Sequence, residues 1–566
     1  MHDETTPPGA PASGSGVLGT TAAAAWAASG VPAGAPAGAP PAVPDGVLRD
    51  AVAQLAEGRR HEREGRMPEA LQAYAAAAAT ATTDQGGVRA EALRRQGAVH
   101  RRRHEWGAAM TFARASHDVA TQIGDPIAAA EALNAIAAVH LECGEWPQAR
   151  DALDRALIAG AHHDELRGRI EQNFGIIANI QGDLPQALER YRASLSAFQR
   201  AGDERGCAIA YHNLGMVSAD EGRWEAADEY YAACLDFAER TGDVHLRGCA
   251  LLNSTEVHLA RQRFEDARMS AETALGIFGQ LGSHQGKSDA YKFLGVLYRE
   301  TGVLGLAEAR LKSAIDLAVQ GGAGLQEAEA SRELALVYRR LERNQDAVIF
   351  LNRSIRLFQR MGAHRDVRDV SARVANLESL FLEVVANWGR SLESADTYTY
   401  GHSGRVAEYA TAVARAFGLD EDGVMTIRMG AYLHDLGKMR VPHELLNKAS
   451  RLTADEFGVL KMHPVWGLEL VSAIDFPWPV KPIIRSHHEK ADGSGYPDGL
   501  RGDDVPLLAQ IVCVADVYDA MTSARSYQPT RTPADAITEM RRCMSGTMRW
   551  WREDVFEAFL ASRAAA

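Results

Sequence analysis

The sequence predicts an all-α protein of more than one domain. Three observations carry this. Small residues recur every forty positions through most of the chain, an apolar stripe in steps of three and four comes next, and the C-terminal part keeps helical stripes while gathering histidines and aspartates. At 566 residues the chain is too long for one core. Its 46% hydrophobic and 24% charged residues are ordinary for a globular protein, and a net charge of −13 argues against general nucleic-acid binding, which needs a basic face. A local basic pocket stays open.

Residues 1–44 predict a disordered tail. The start, MHDETTPPGA, is acidic where a secretory signal is basic, and 17–44 is uncharged Ala, Gly and Pro, which breaks a membrane helix. No transmembrane span is expected. The six cysteines, Cys143, Cys207, Cys234, Cys249, Cys513 and Cys543, form no CxxC pair and are too sparse for a disulfide framework. Free thiols in a cytoplasmic protein are expected.

Residues 45–363 predict a repeat array. Gly202, Gly242, Gly282, Gly322 and Gly362 are forty apart, as are Ala187, Ala227, Ala267, Ala307 and Ala347, with Ala70, Ala109 and Ala149 slightly off register. In AIAYHNLGMVSADEGRWEAADEYYAACLDFAERTGD, a first helix runs to about Asp220, Gly222 makes the turn, Ala227 lies at a close helix contact and Gly242 ends the second helix. The pattern resembles tetratricopeptide repeats of a forty-residue variety, in about eight units: 48–86, 88–125, 126–164, 165–203, 204–243, 244–283, 284–323 and 324–363. The resemblance implies a concave groove for an unidentified peptide or protein partner.

Residues 364–393 predict a connector helix. Val367, Val370, Val374, Leu377, Phe381, Val384 and Trp388 form a heptad-like seam. A homodimer through 367–388 uses it as a coiled coil; a capping helix buries it within the chain. Either makes the helix a route by which a partner bound to the repeats could act on the C-terminal domain.

Residues 394–566 carry the chemistry. His402 opens a helix, His434–Asp435 ends another, and His463 comes after a Thr453–Glu456 capping box. His487–His488 ends a short helix, the loop ADGSGYPDGLRGDDVP comes next, and an apolar helix carries Asp516 and Asp519. Imidazoles with carboxylates suit borderline divalent ions. Asp435 has two oxygens and can bridge. With five further candidate positions, His402, His463, His487, His488 and Asp516, the set exceeds what one ion needs, which favours two ions and water as nucleophile.

YTYGHSGRV, LHDLGK, the lone His463, HHEKADGSGYPDGLRG and VADVYDAMTSARSY, in this order, resemble an HD-GYP domain over about residues 390–560. That resemblance implies an all-helical fold, two divalent ions such as iron or manganese, and hydrolysis of cyclic di-GMP to pGpG or onward to GMP. It assigns metal binding to His402, His434, Asp435, His463, His487, His488 and Asp516. It gives Asp435 and Lys438 catalytic roles and places Lys438, Gly495, Tyr496, Pro497 and Arg525 at the substrate. Tyr398 stands where three-metal members carry Glu, so two ions and a stop at pGpG are expected. Gln528 replaces a basic residue, and SGTMRWWREDVFEAF departs from the usual Phe-Asp-Pro. Asp519 and His443 are expected to be structural or solvent-facing, and Glu489 an outer partner of a ligand histidine or a surface charge. The rival reading is a scaffold or cyclic-dinucleotide receptor with weak catalysis.

Overall fold

A computed structural model describes residues 50–63, 66–160, 162–362, 368–393, 401–448, 450–474, 476–523, 530–545 and 548–564. The expected tail, 1–44, lies outside them. The described residues form helices and no strand, and no described helix is long and apolar enough to cross a membrane.

The repeat logic is visible in the hairpin of helices Glu204–Asp220 and Trp224–Thr241. Asp203 caps the first, its side chain accepting from the Gly206 amide at 2.8 Å, a contact worth about 1 kcal/mol. Gly222 turns the chain at φ +71° and Gly242 ends the second helix at φ +67°, a region where a Cβ is strained. Ala227 is fully buried where the helices meet, and Tyr231 fills the space beside it. Glycine is not obligatory at every such turn: His104, Gln262 and Glu342 also stand at positive φ.

By its contacts the chain divides into two compact units, Met1–Val303 with Ser313–Gln326, and Leu304–Lys312 with Glu327–Ala566. The first is stacked hairpins. Its alanines Ala187, Ala227 and Ala267 have no exposed surface, and Ser116 and Ser194 each donate to the carbonyl 26 residues earlier, at 2.7 and 2.8 Å.

His212 is buried in this unit at 2% exposure, 3.0 Å from the Asn253 amide nitrogen, which donates to its Nε2. Burial pushes its pKa down to about 4, against about 6.5 unfolded. Between these values the unfolded chain binds a proton that the folded chain refuses. Stability therefore falls as pH drops from about 6.5 to about 4, by about 3 kcal/mol from this group. Denaturant midpoints at pH 7 and pH 4.5 should show a larger acid loss in the wild type than in His212→Asn. Equal losses would sink this account.

The second unit joins the end of the repeats to the C-terminal helices. Helix Arg368–Glu393 lies beside helix Asn344–Gly362. Arg339 pairs with Glu383 at 2.7 Å, and Phe381 meets Phe476 and Trp478 edge-on at 6.2 and 5.5 Å. Gln345 donates to the Leu470 carbonyl at 3.0 Å. Leu377, Phe381, Val384 and Trp388 are all buried within the single chain. This part of the stripe is therefore covered by the chain itself, as in the capping arrangement, and offers no free seam to a second copy. Val367 lies outside the described residues.

The C-terminal core gathers Val406, Ala410 and Val413 with Ile427, Ile483, Val512, Tyr518 and Phe559. Trp551, in the departing SGTMRWW stretch, is 1% exposed in the same core, and its indole donates to Cys513 Sγ at 3.3 Å. The substituted tail closes the domain. Trp550 beside it takes the Lys490 ammonium 3.3 Å from its ring centre.

Candidate metal centre

The helices deliver the candidate ligands by their ends. His402 opens helix His402–Phe417. His434 ends helix Glu421–Leu433, and Asp435 begins the tight turn Leu436–Arg440. His463 opens helix His463–Leu470, reached through the Thr453–Glu456 capping box, which forms in full. His487 and His488 come directly after helix Lys481–Ser486, and Asp516 lies within helix Leu507–Thr522.

Three rings are aimed by the same device. His434, His463 and His487 each turn Nδ1 to the carbonyl three residues earlier, on Ala431, Leu460 and Ile484, at 2.7, 2.8 and 3.0 Å. A carbonyl only accepts, so Nδ1 carries the proton and Nε2 presents its lone pair inward. His402 is aimed differently: its Nδ1 lies 2.7 Å from Asp519 Oδ2, and Arg405 grips the same carboxylate at 2.6 and 3.1 Å. Asp519, 1% exposed, is thus structural in a specific way, since it orients a candidate ligand. The readable signal was its spacing from Asp516, which puts both on one helix face.

Asp435 stands between the rings. Its Oδ1 lies 3.3 Å from His463 Nε2 and 4.0 Å from His487 Nε2. Its Oδ2 lies 3.4 Å from His434 Nε2 and 3.7 Å from His402 Nε2. Among the described residues two groups could each hold an ion: His402, His434 and Asp435, and Asp435, His463, His487 and His488, with ligand atoms inside 4.8 Å in each. Asp435 belongs to both. Asp516 Oδ1 faces His402 Nε2 at 3.3 Å.

These residues fit a divalent cation. His434 Nε2 is buried with no hydrogen-bond partner, an arrangement that costs free energy unless something binds there. The Nε2 atoms of His463 and His487 face each other at 3.2 Å, two lone pairs that a cation would reconcile. Burial, then neighbouring imidazoles, holds His487 well below the usual range and His488 down at about 3. Both are neutral and able to ligate. Burial would raise the carboxylates, but Lys438 pulls Asp435, and His402 pulls Asp516, well below the ordinary value. Burial opposes charge on His402, yet Asp516 and Asp519 hold it up at about 9. Asp435 and Asp516 therefore present ionised oxygens beside the neutral His487 and His488.

Lys438 Nζ reaches Asp435 Oδ2 at 2.5 Å. In the loop, a Cβ on Gly495 would lie 2.4 Å from the Lys490 nitrogen and 2.6 Å from the His488 carbonyl oxygen. The Tyr496 amide donates to that carbonyl at 3.2 Å, and its ring sits 4.7 Å from His488. Pro497 is joined to it through a cis peptide. Glu489 is neither a histidine partner nor a surface charge. Fully buried, it accepts the amides of Asp498, Gly499 and Leu500 at 2.6, 3.0 and 3.0 Å and so ties the loop down. His443 is exposed. Arg525, Gln528 and Tyr398 lie outside the described residues.

Residues 389–548 match the HD domain family, and residues 166–240, 206–280 and 287–360 match the tetratricopeptide repeat family. The chain carries an HD domain behind tetratricopeptide repeats. A cyclic di-GMP phosphodiesterase response regulator of Xanthomonas campestris pv. campestris is 42% identical over 168 residues, 29% of this chain and 44% of its own. A cyclic di-GMP phosphodiesterase of Pseudomonas aeruginosa is 36% identical over 244 residues, 41% of this chain and 56% of its own. A 3′3′-cGAMP-specific phosphodiesterase of Vibrio cholerae is 36% identical over 169 residues, 30% of this chain and 32% of its own. The chain thus spans about half the length of these relatives or less. Within the matched residues, Asp435 of the His434–Asp435 pair is the member that the two candidate ligand groups share.

Proposed function

We propose that the HD domain, taken as residues 394–566, is a metal-dependent phosphodiesterase that opens cyclic di-GMP to linear pGpG. The observation that carries this reading is the shared carboxylate: Asp435 turns one oxygen to His463 and His487 and the other to His434 and His402. That arrangement supports two ions, held by His402, His434, Asp435, His463, His487, His488 and Asp516. When bound, such ions supply Lewis acidity and a water that ionises near neutral pH.

The reaction adds water across one phosphodiester bond. The water oxygen joins phosphorus, and the proton goes to the departing ribose oxygen. Negative charge grows on the phosphate oxygens, and Lys438 is the cation fixed beside the site to meet it. Arg525 is assigned to the substrate with it, and Gly495, Tyr496 and Pro497 shape the wall. The repeats, taken as 45–363, hold a protein or peptide partner, and the 364–393 helix passes its effect to the hydrolase. The contacts of Glu383 with Arg339 and of Phe381 with Trp478 support that route.

A second reading keeps the chemistry and changes the base, because one relative is named for 3′3′-cGAMP and the candidate ligands recognise phosphate. The test is metal analysis of the full chain, then incubation of the loaded protein with each cyclic dinucleotide and product identification. Two ions per chain and pGpG from cyclic di-GMP are expected. Faster turnover of 3′3′-cGAMP would favour the second reading, and a loaded chain that turns over neither would leave a receptor or scaffold.

A further inference from the structure

Helix Ala454–Leu460 runs past the Gly495–Pro497 loop and presents an aromatic ring to it. Phe457 is 42% exposed and meets Tyr496 edge-on, with centroids 6.3 Å apart at 78°. Lys461, one turn further on, holds its ammonium 4.9 Å from the Phe457 ring and 5.4 Å from the Tyr496 ring. Tyr496 itself lies 4.7 Å from His488 and 6.5 Å from His463. Two aromatic rings and a cation therefore make a step leading directly off the candidate ligands. Val459 and Met462, on the same stretch, are each 40% exposed. An exposed aromatic ring this near the candidate ligands is surface that a flat ligand can cover.

We infer that Phe457 and Lys461 form, with Tyr496, the subsite for a guanine base of the substrate. This rests on the nucleotide phosphodiesterase reading and adds the residues that select the base. Phe457 stacks on the base; stacking on an aromatic side chain is tolerant of base identity. Lys461 supplies the discrimination. Guanine shows two acceptors, N7 and O6, on its outer edge, whereas adenine replaces one with an amino donor that a lysine repels. The candidate ligands and Phe457 both border Tyr496, so a phosphate at the one and a base on the other fit a nucleotide better than a bare phosphodiester.

The test is equilibrium binding of GMP, AMP and ribose 5-phosphate to the metal-loaded full chain, which needs no turnover. GMP should bind about tenfold or more tightly than ribose 5-phosphate, and several-fold more tightly than AMP. Phe457→Ala should bring GMP down to the ribose 5-phosphate level while leaving ribose 5-phosphate unchanged, and Phe457→Trp should restore the gap. Lys461→Met should close the gap between GMP and AMP. Equal binding of GMP and ribose 5-phosphate by the wild type, or equal weakening of both by Phe457→Ala, would overturn the subsite and leave the hydrolase reading standing. Failure of all three to bind would overturn the hydrolase reading and the subsite together.

Discussion

Asp435→Asn should cost the HD domain at least one of its two ions and lower turnover of cyclic di-GMP by at least about a thousandfold, well beyond the 10–100-fold typical of an outer partner. Both oxygens of the native side chain are engaged, Oδ1 toward His463 and His487, Oδ2 toward His434, His402 and Lys438. Asparagine keeps the shape but turns an NH₂ to one of these two sides, and an NH₂ cannot ligate. Whichever way it flips, one group of candidate ligands loses its shared member. The variant should bind at most one ion per chain. Metal should also raise the melting temperature of the wild type, because a ligand that binds only the folded state stabilises it. That shift should shrink in the variant. The change takes the counter-charge from Lys438, but that side chain is a quarter exposed and water can take up its ammonium, so the metal-free variant should still fold, and its circular dichroism should match the wild type. A folded variant that keeps two ions and wild-type turnover would remove Asp435 from the centre of the mechanism.

Much of this was readable in the chain because it is periodic. A forty-residue repeat fixes where Gly222 and Gly242 turn, and the turn angles come from what glycine permits. The candidate ligands were readable as residue types in a fixed order. Three things were not. The stripe around Leu377 and Phe381 looks the same whether a second copy or the chain's own Phe476 and Trp478 covers it, since an apolar period records burial and not the burying partner. The work of Asp519 depends on His402 and Arg405, more than a hundred residues earlier, and local spacing gives only its helix face. Glu489 looks like a charge beside two histidines, yet its partners are three backbone amides of a loop. Long-range hydrogen bonds leave no local pattern, whereas helix caps such as Thr453 with Glu456 do.

Gly437→Ala is the change expected to do most damage for one added carbon. A Cβ at Gly437 would lie 1.8 Å from the His463 carbonyl oxygen and 2.5 Å from the Gly467 nitrogen, where ordinary contact is about 3.4 Å or more. Both neighbours are backbone, so no side chain can rotate away. Either the turn after Asp435 or the start of helix His463–Leu470 must retreat by more than about 1 Å to restore ordinary contact. The first moves Asp435 and Lys438, the second moves His463, and the present 3.3 Å approach of His463 to Asp435 survives neither. Overpacking of this kind costs about 3 kcal/mol or more, so the HD domain should melt lower and hold metal more weakly even where it folds. Gly458→Ala is the matched control. Gly458 lies in helix Ala454–Leu460 with nothing within 4 Å of its added Cβ, and alanine there should be neutral or stabilise by up to about 1 kcal/mol. Thermal melts of both variants, with and without metal, separate the two cases. If Gly437→Ala melts and binds metal as Gly458→Ala does, the contact between the Asp435 turn and the His463 helix is not what holds the two ligand groups together.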